Sequence, residues 1–318
     1  MSEEMNRRCF VQSTLLGASA AAVVGSSALH GSANEGKQYP ALVRKRDIPT
    51  GTIGGATFSR MMLGGNLLGH YNHVRDLRYV INLATHYNTP EKIYETMRLA
   101  EEYGINTVNV HSAKPLVEAL KEYKKRGGTI QTLNYPLAPI NEDLAEFTQQ
   151  CQEAVDAGAS AMYLWGERSD RLIGPQPELF KKAINTMRSF GIPVGVAAHK
   201  LEVVEFCEQE KIKLDFYVKT FHHHNYPSAA MNFDSSWCDS PEKHIEVMAK
   251  VEKPWIAYKV MAAGAIPPKN ALEYAFSNGA DFVFFGMFDF EIDEDTRLIN
   301  EVLAQEKVKN RPRKWFNT

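Results

Sequence analysis

From residue 60 onward the chain alternates between short, dense apolar runs and longer amphipathic ones. The short runs are RMMLGGN (60–66), INTVNVH (105–111), GTIQTLN (128–134), SAMYLWG (160–166), IPVGVAA (192–198), LDFYVKT (214–220), PWIAYKV (254–260) and DFVFFGM (281–287). Their length and β-rich composition predict eight strands. Between them lie runs such as TPEKIYETMRLAEEYG, AKPLVEALKEYKKRGG and QPELFKKAINTMRSFG, with another from Asp293 on, whose apolar residues recur at helical spacing. Gly104, Gly127, Gly158, Gly191 and Gly279 stand where these helices would end, just before the next strand. Asp, Thr, Ser or Pro opens several of them, as a helix N-terminus prefers. Eight β/α units after residue 50 predict an α/β fold, a (β/α)8 TIM barrel over residues 51–318. A doubly wound open sheet would carry a glycine-rich dinucleotide turn after its first strand, and Gly64-Gly65-Asn66 is not one.

A barrel keeps its chemistry at the C-terminal ends of its strands. Those ends carry Asn66, His111, Asn134, Trp165 with Glu167, His199 with Lys200, Lys219 with His222 to His224, Lys259, and Met287 with Asp289. Eight apolar strands thus finish in a ring of imidazoles, ammoniums, amides and acids. Two connections are long enough to act as walls or lids: the one after the first strand, with His70, His73 and Arg75, and the one after the sixth, with Tyr226 and Trp237.

The first thirty-three residues differ from the rest. Arg7 and Arg8 precede Phe10 and Val11, then a mild Ala/Gly/Ser-rich stretch runs to about Leu29, with Gly31 and Ala33 at cleavage-like positions. This resembles a bacterial twin-arginine signal peptide, which implies the twin-arginine translocation machinery as a partner and a periplasmic or secreted location. The apolar stretch is too short and too rich in Gly and Ser to span a bilayer, so the chain is not expected to be an integral membrane protein. Residues 34–50 read as a linker. Beyond the signal, Cys151, Cys207 and Cys238 show no CxxC spacing and no disulfide framework. Across all 318 residues, 36 Lys and Arg balance 38 Asp and Glu, so no basic excess points to nucleic acid.

Three stretches resemble the aldo/keto reductases. TGTIGGATFSRMMLGGN is similar to that family's N-terminal hairpin and first strand, IPVGVAAHKLEVVEF to its fifth-strand region, and IAYKVMAAGAIPPKNALEYAFSNGADFVFFGM to its seventh and eighth strands. The resemblance implies an N-terminal hairpin on the barrel and NADPH-dependent carbonyl reduction by a Tyr, Asp, Lys and His tetrad. The tetrad does not carry over. NTVNVHSAKPL lacks the Asp and Tyr, TIQTLN lacks the Lys, and MYLWGE lacks the His.

Several chemistries stay open on these residues. Lys219, His222, His224, Lys259 and His199 are the candidate catalytic groups, because His and depressed-pKa Lys move protons near neutral pH. Asn66, His70, His73, Arg75, His111, Asn134, Trp165, Tyr226 and Trp237 are candidate substrate contacts, the aromatics as stacking faces for a sugar-like ring. Gly264, Gly286 and Met287 are candidates for a phosphate grip at strands seven and eight, as NADP(H) would need. Glu167, His199, His222, His224 and Asp289 are the candidate ligands of a divalent metal. The leading expectation is an exported, oxidoreductase-like enzyme acting on a small polar, sugar-derived carbonyl or hydroxyl compound. The alternatives are a metal-assisted lyase, isomerase or epimerase, and a non-catalytic ligand-binding barrel.

Overall fold

A computed structural model describes residues 38–316 apart from residue 232. The export segment, residues 1–33, lies outside the described residues. The described part of the expected linker is laid against the barrel's outer helices. Tyr39 packs on Tyr123 at 5.4 Å between ring centroids, and Lys45 pairs with Glu102 at 2.8 Å.

The eight predicted strands are all present, each somewhat shorter than its apolar run. After a hairpin of β1 (Thr50–Ile53) and β2 (Ala56–Ser59) come β3 (Met61–Leu63), β4 (Thr107–His111), β5 (Gln131–Tyr135) and β6 (Ala161–Leu164). β7 (Val194–Ala198), β8 (Phe216–Thr220), β9 (Trp255–Tyr258) and β10 (Phe282–Phe285) complete the set. β3 to β10 pair in parallel, in chain order, and β10 closes on β3. The hairpin turns at Gly54 and Gly55, both at positive φ, the geometry of a two-residue hairpin loop. A Cβ on Gly54 would also sit 2.2 Å from Pro193. Ile53 and Phe58 of the hairpin join the residues inside the barrel and plug its lower end.

The pleat sorts side chains into two cores. Met62, Leu133, Tyr135, Ala161, Tyr163, Ala197, Phe216, Val218, Ile256, Phe282 and Phe284 fill the lumen. Their neighbours in sequence face the helices, as strand alternation requires. Two connections carry helices that were not expected. The long connection after β3 contains Tyr79–Tyr87, and Gly166–Leu172 follows β6 ahead of the expected helix, Pro177–Arg188.

Under the barrel, Asp281 binds two arginines of the C-terminal segment. Its oxygens lie 2.7 Å from Arg311 Nη2 and 2.6 Å from Arg313 Nη1, and they accept from the backbone N–H of Trp255 and Phe316. The guanidinium of Arg311 stacks on Trp315 at 3.5 Å. Among the described residues, no helix is long and apolar enough to cross a membrane.

Candidate active site

Inward positions at the upper strand ends open into a cavity of about 950 Å³. Asn109 and His111 enter from β4, Tyr135 from β5, Tyr163 and Trp165 from β6, Ala197 and His199 from β7, Tyr258 and Lys259 from β9, and Phe284 and Gly286 from β10. Strand phase decides this membership except at Lys259, which follows inward Tyr258 directly and is turned into the cavity by its left-handed backbone. Lys219 shares the phase of Tyr217 and Asn134 alternates with Leu133 and Tyr135, so both point away from the lumen.

At the centre of the cavity is a chain of hydrogen bonds. Asp170 accepts from His199 Nδ1 at 2.7 Å, from His199 N at 3.2 Å and from Lys200 N at 3.0 Å. That places the imidazole proton on Nδ1 and leaves the Nε2 lone pair free. Lys259 Nζ donates to Nε2 at 2.9 Å and to Ser236 O at 3.1 Å, and it contacts Ser235 Oγ. Ser235 Oγ in turn lies 3.3 Å from His73 Nε2. Burial draws the Lys259 amine down to about 7, against the opposing pull of Asp234 and Asp170, with Lys219 adding a smaller push downward. Burial also lowers His199, while the Asp170 hydrogen bond works the other way. Lys259 holds φ +59 one residue past its strand, a conformation uncommon for a side chain of this size. Local strain of this kind collects at functional sites. Gly166 permits the close packing here, since a Cβ on it would approach Tyr258 Oη to 3.0 Å and His199 Cε1 to 3.2 Å.

Three donors in the cavity wall have no hydrogen-bond partner among the described residues. They are Asn72 Nδ2, the Tyr258 hydroxyl and His111 Nε2, which carries the ring proton because Nδ1 accepts from Ala113 N at 3.2 Å. Tyr163 and Tyr135, by contrast, donate to Asn109 Oδ1 and Asn66 Oδ1. Together with Tyr71, Trp165 and Trp237, the wall offers aromatic faces and a few aimed donors, a combination suited to a hydroxylated substrate.

The two long connections interlock over this centre. Asp234 accepts from the backbone N–H of Val74 (2.6 Å) and Arg75 (3.0 Å). Arg75 donates to the carbonyls of Ser228 and Met231, and its guanidinium lies over Trp237 and Tyr226. The consecutive histidines clasp the same loop from below. Cys238 N donates to His222 Nε2 at 3.1 Å, and His224 Nε2 donates to Cys238 O at 2.5 Å. Asp234→Ala is therefore expected to loosen the wall. Limited proteolysis near residues 228–236 should accelerate several-fold while the global melting temperature moves little, because the lost bonds are local.

Of the sequence candidates, the structure brings together His199, Lys259, Asn66, His73, His111, Trp165, Trp237, Gly264, Gly286 and Glu167. It places Lys219, His222, His224, His70, Arg75, Asn134, Tyr226, Met287 and Asp289 outside the cavity wall. Lys219 is fully buried with Nζ on His199 O at 2.5 Å, so it braces the backbone under His199. His222 and His224 lie past the end of β8, where strand alternation no longer applies, and both are engaged by Cys238. His70 Nε2 bonds Asn88 O, and Met287 is packed in the outer core. The expected metal set does not converge. Asp289 is held by Tyr87 and Lys92, Glu167 pairs with Arg171, and no group of three or more His, Cys, Asp or Glu among the described residues is arranged around an ion. Asp170, Ser235 and Tyr258 were missed. The phase of β9 marks Tyr258 as inward beside Ile256, but nothing in the sequence marks Asp170 or Ser235.

A phosphate grip at β9 and β10 is only half built. Gly264 and Gly286 present bare backbone to open space, and Ala262, Ala263 and Gly264 are all left-handed. The charged side chains lining this end are Lys259, past β9, and Glu291, whose carboxylate accepts from Phe288 N at 2.8 Å and whose pKa burial raises. The other lining cations, Lys200 and Arg171, follow β7 and β6. A diphosphate at Gly264 and Gly286 would therefore meet bare backbone, one amine and one acid.

His111, His222 and His244 are almost fully buried, and burial lowers each to about 4. Between pH 6.5 and 4 the unfolded chain binds protons there that the folded chain does not. Stability is therefore expected to fall as pH drops through that window, by up to about 1.4 kcal/mol per pH unit for each imidazole. Thermal melts from pH 7 to 4 measure the slope, and replacing His244 with Gln should reduce it.

No protein-family description matches the chain, and no curated protein matches it in sequence. Solved structures do resemble it. A protein described as an aldo-keto reductase from Pseudomonas aeruginosa superposes with a TM-score of 0.60 at 13% identity, covering 81% of this chain and 98% of that one. The holo form of an aldo-keto reductase from Bacillus halodurans superposes with a TM-score of 0.58 at 9% identity, covering 83% and 95%. At such identities the likeness concerns the fold, and it agrees with the hairpin and strand order above. The chain has an aldo/keto reductase-like (β/α)8 barrel.

Proposed function

We propose that the chain is an enzyme that moves a proton at the carbonyl or adjacent carbon of a small, hydroxylated, sugar-derived compound, with Lys259 as the acid–base group. The observation that carries this reading is the Asp170–His199–Lys259 chain at the centre of the cavity. An amine near pKa 7 is half free at neutral pH, the condition in which one group both takes and returns protons. Asp170 orients His199 and would stabilise its protonated form. Tyr258 and His111 would donate to substrate oxygens, and Trp165 and Trp237 would stack on the ring or chain. Proton NMR in D2O tests the reading. A panel of short aldoses, ketoses and 2-keto acids should include one whose α-proton exchanges in the presence of the protein. No exchange with any of them would count against it.

The fold likeness favours a second reading, NADPH-dependent carbonyl reduction. Trp165 and Trp237 line the cavity, so a bound nicotinamide would quench their fluorescence. The proposed function expects no saturable quenching up to about millimolar NADPH, the upper end of ordinary substrate affinities. Saturation well below that would favour the reductase.

We also propose that the chain is exported by the twin-arginine route, on the strength of Arg7, Arg8 and Phe10. Changing Arg7 and Arg8 together to Lys should leave the precursor in the cytoplasm of a bacterial host. Unchanged export would show that another signal is used.

A further inference from the structure

We propose that Lys259 is a nucleophile that joins the substrate's carbonyl carbon as a protonated imine, with His199 and Ser235 moving the protons. The inference rests on the carbonyl chemistry proposed above and adds a covalent intermediate to it. Its first support is the set of partners around Nζ. His199 Nε2, Ser235 Oγ and Ser236 O surround the amine, and among the described residues no carboxylate oxygen is bonded to it. A lysine retained only as a cation is best served by a carboxylate. This arrangement instead suits both charge states. The ammonium donates to all three partners. The free amine donates to His199 and Ser236 and accepts from the Ser235 hydroxyl. The second support is access. Lys259, Ser235 and His199 all line the cavity, and the Trp237 and Tyr258 rings lie 5.5 and 5.6 Å from Nζ as apolar walls beside it. The third is the set of unpartnered donors, of which Tyr258 Oη and His111 Nε2 would hold hydroxyls of the same substrate.

The step balances without a metal, an oxidant or a reductant. The ammonium passes one proton to His199 Nε2, and Asp170 holds the resulting imidazolium. The free pair forms the C–N bond, and the carbonyl oxygen takes that proton back. A second N–H proton travels through Ser235 to the same oxygen, the C–O bond breaks, and water leaves. One carbonyl and one ammonium thereby yield one protonated imine and one water. The imine then accepts the electron pair of a neighbouring C–H bond, whose proton goes to His199. The substrate class is a ketone or aldehyde bearing hydroxyls on adjacent carbons.

Reductive trapping tests the intermediate directly. The full chain is incubated with dihydroxyacetone and sodium cyanoborohydride at pH 7, and the modified residue is located by peptide mass mapping. Lys200, at the exposed edge of the same cavity, serves as the internal reference. At pH 7 the Lys259 amine is free roughly a thousandfold more often than an ordinary lysine, so its adduct should dominate the map. Trapping should strengthen as pH rises through about 7, a value set mainly by burial against the pull of Asp234 and Asp170, with Lys219, His199 and His73 the other titratable groups around the amine. Ser235→Ala should slow trapping at Lys259 without changing it at Lys200. An adduct on Lys200 and surface lysines but not on Lys259 would overturn the proposal. The two readings fail separately. Exchange of α-protons without a Lys259 adduct would leave Lys259 as acid–base group and remove the imine. An adduct without exchange would keep the nucleophile and remove the proton-transfer step. Because the wild-type map locates the adduct, the test does not depend on any variant folding.

Discussion

Replacing Lys259 with Met is expected to lower kcat on the true substrate by about 10²- to 10⁴-fold, the usual scale for removing a positioned acid–base group. KM should change much less, because the aromatic walls and the donors at Tyr258 and His111 remain. The wild-type rate should rise with pH through about 7, since the free amine is the active form and the protonated form predominates below it. The variant's residual rate should lack that limb. Stability carries the same signature. The unfolded lysine titrates near 10.5 and the folded one near 7, so between those values only the unfolded chain holds the proton. Wild-type stability therefore gains from this site as pH rises from 7 toward 10.5, and Lys259→Met should lose that gain. A variant that keeps full activity, or a pH–rate profile flat from 6 to 8, would remove Lys259 from the chemistry.

The second large effect is expected at the opposite end of the barrel. Asp281→Ala should destabilise the fold by about 3–5 kcal/mol, the scale for stranding buried charge. The carboxylate is fully buried and neutralises Arg311 and Arg313, which are 1% and 3% exposed. Arg60 adds a third guanidinium, donating to the Asp281 carbonyl at 3.0 Å and stacking on Trp315. With the acid gone these cations face each other in a dry site, and the backbone N–H groups of Trp255 and Phe316 lose their acceptor. Chemical denaturation should show the loss as a lower midpoint, while Lys259 trapping in the remaining folded protein stays intact. A change below about 1 kcal/mol would mean that the arginines find water or other acceptors when released.

The barrel could be read from the sequence because its signal repeats. Eight apolar runs, each followed by an amphipathic run closed by glycine or opened by a cap, admit few folds. The site was legible only where strand phase reaches it. His199 follows directly from a strand whose inward residue is Ala197, whereas Lys259 is out of phase with inward Tyr258 and reaches the cavity only because its backbone turns left-handed at φ +59. Lys219 shows the same rule working in reverse, since counting back from it through Tyr217 puts its side chain among the helices. Beyond the strand ends the rule stops. His222 and His224 stand out in the sequence, yet both are engaged with Cys238. Ser235, among the least conspicuous residues of the chain, is delivered to Lys259 by a loop whose course depends on Asp234 meeting a backbone 160 positions earlier. Asp281 is equally silent, because its partners lie about thirty residues on in a segment without strand or long helix.

The clasp between the two loops makes admission and reactivity a single variable. Ser235 and Ser236 supply two of the three contacts of Lys259, and they are also part of the wall that Asp234 and Arg75 hold shut. Any movement that parted the loops to admit a molecule would strip the amine of those contacts and let water reach it, returning it toward ordinary basicity and a resting positive charge. Reclosure over the substrate would expel the water and restore the reactive amine. The site would then be silent while open and armed only when filled, which would spare an exposed amine from stray aldehydes.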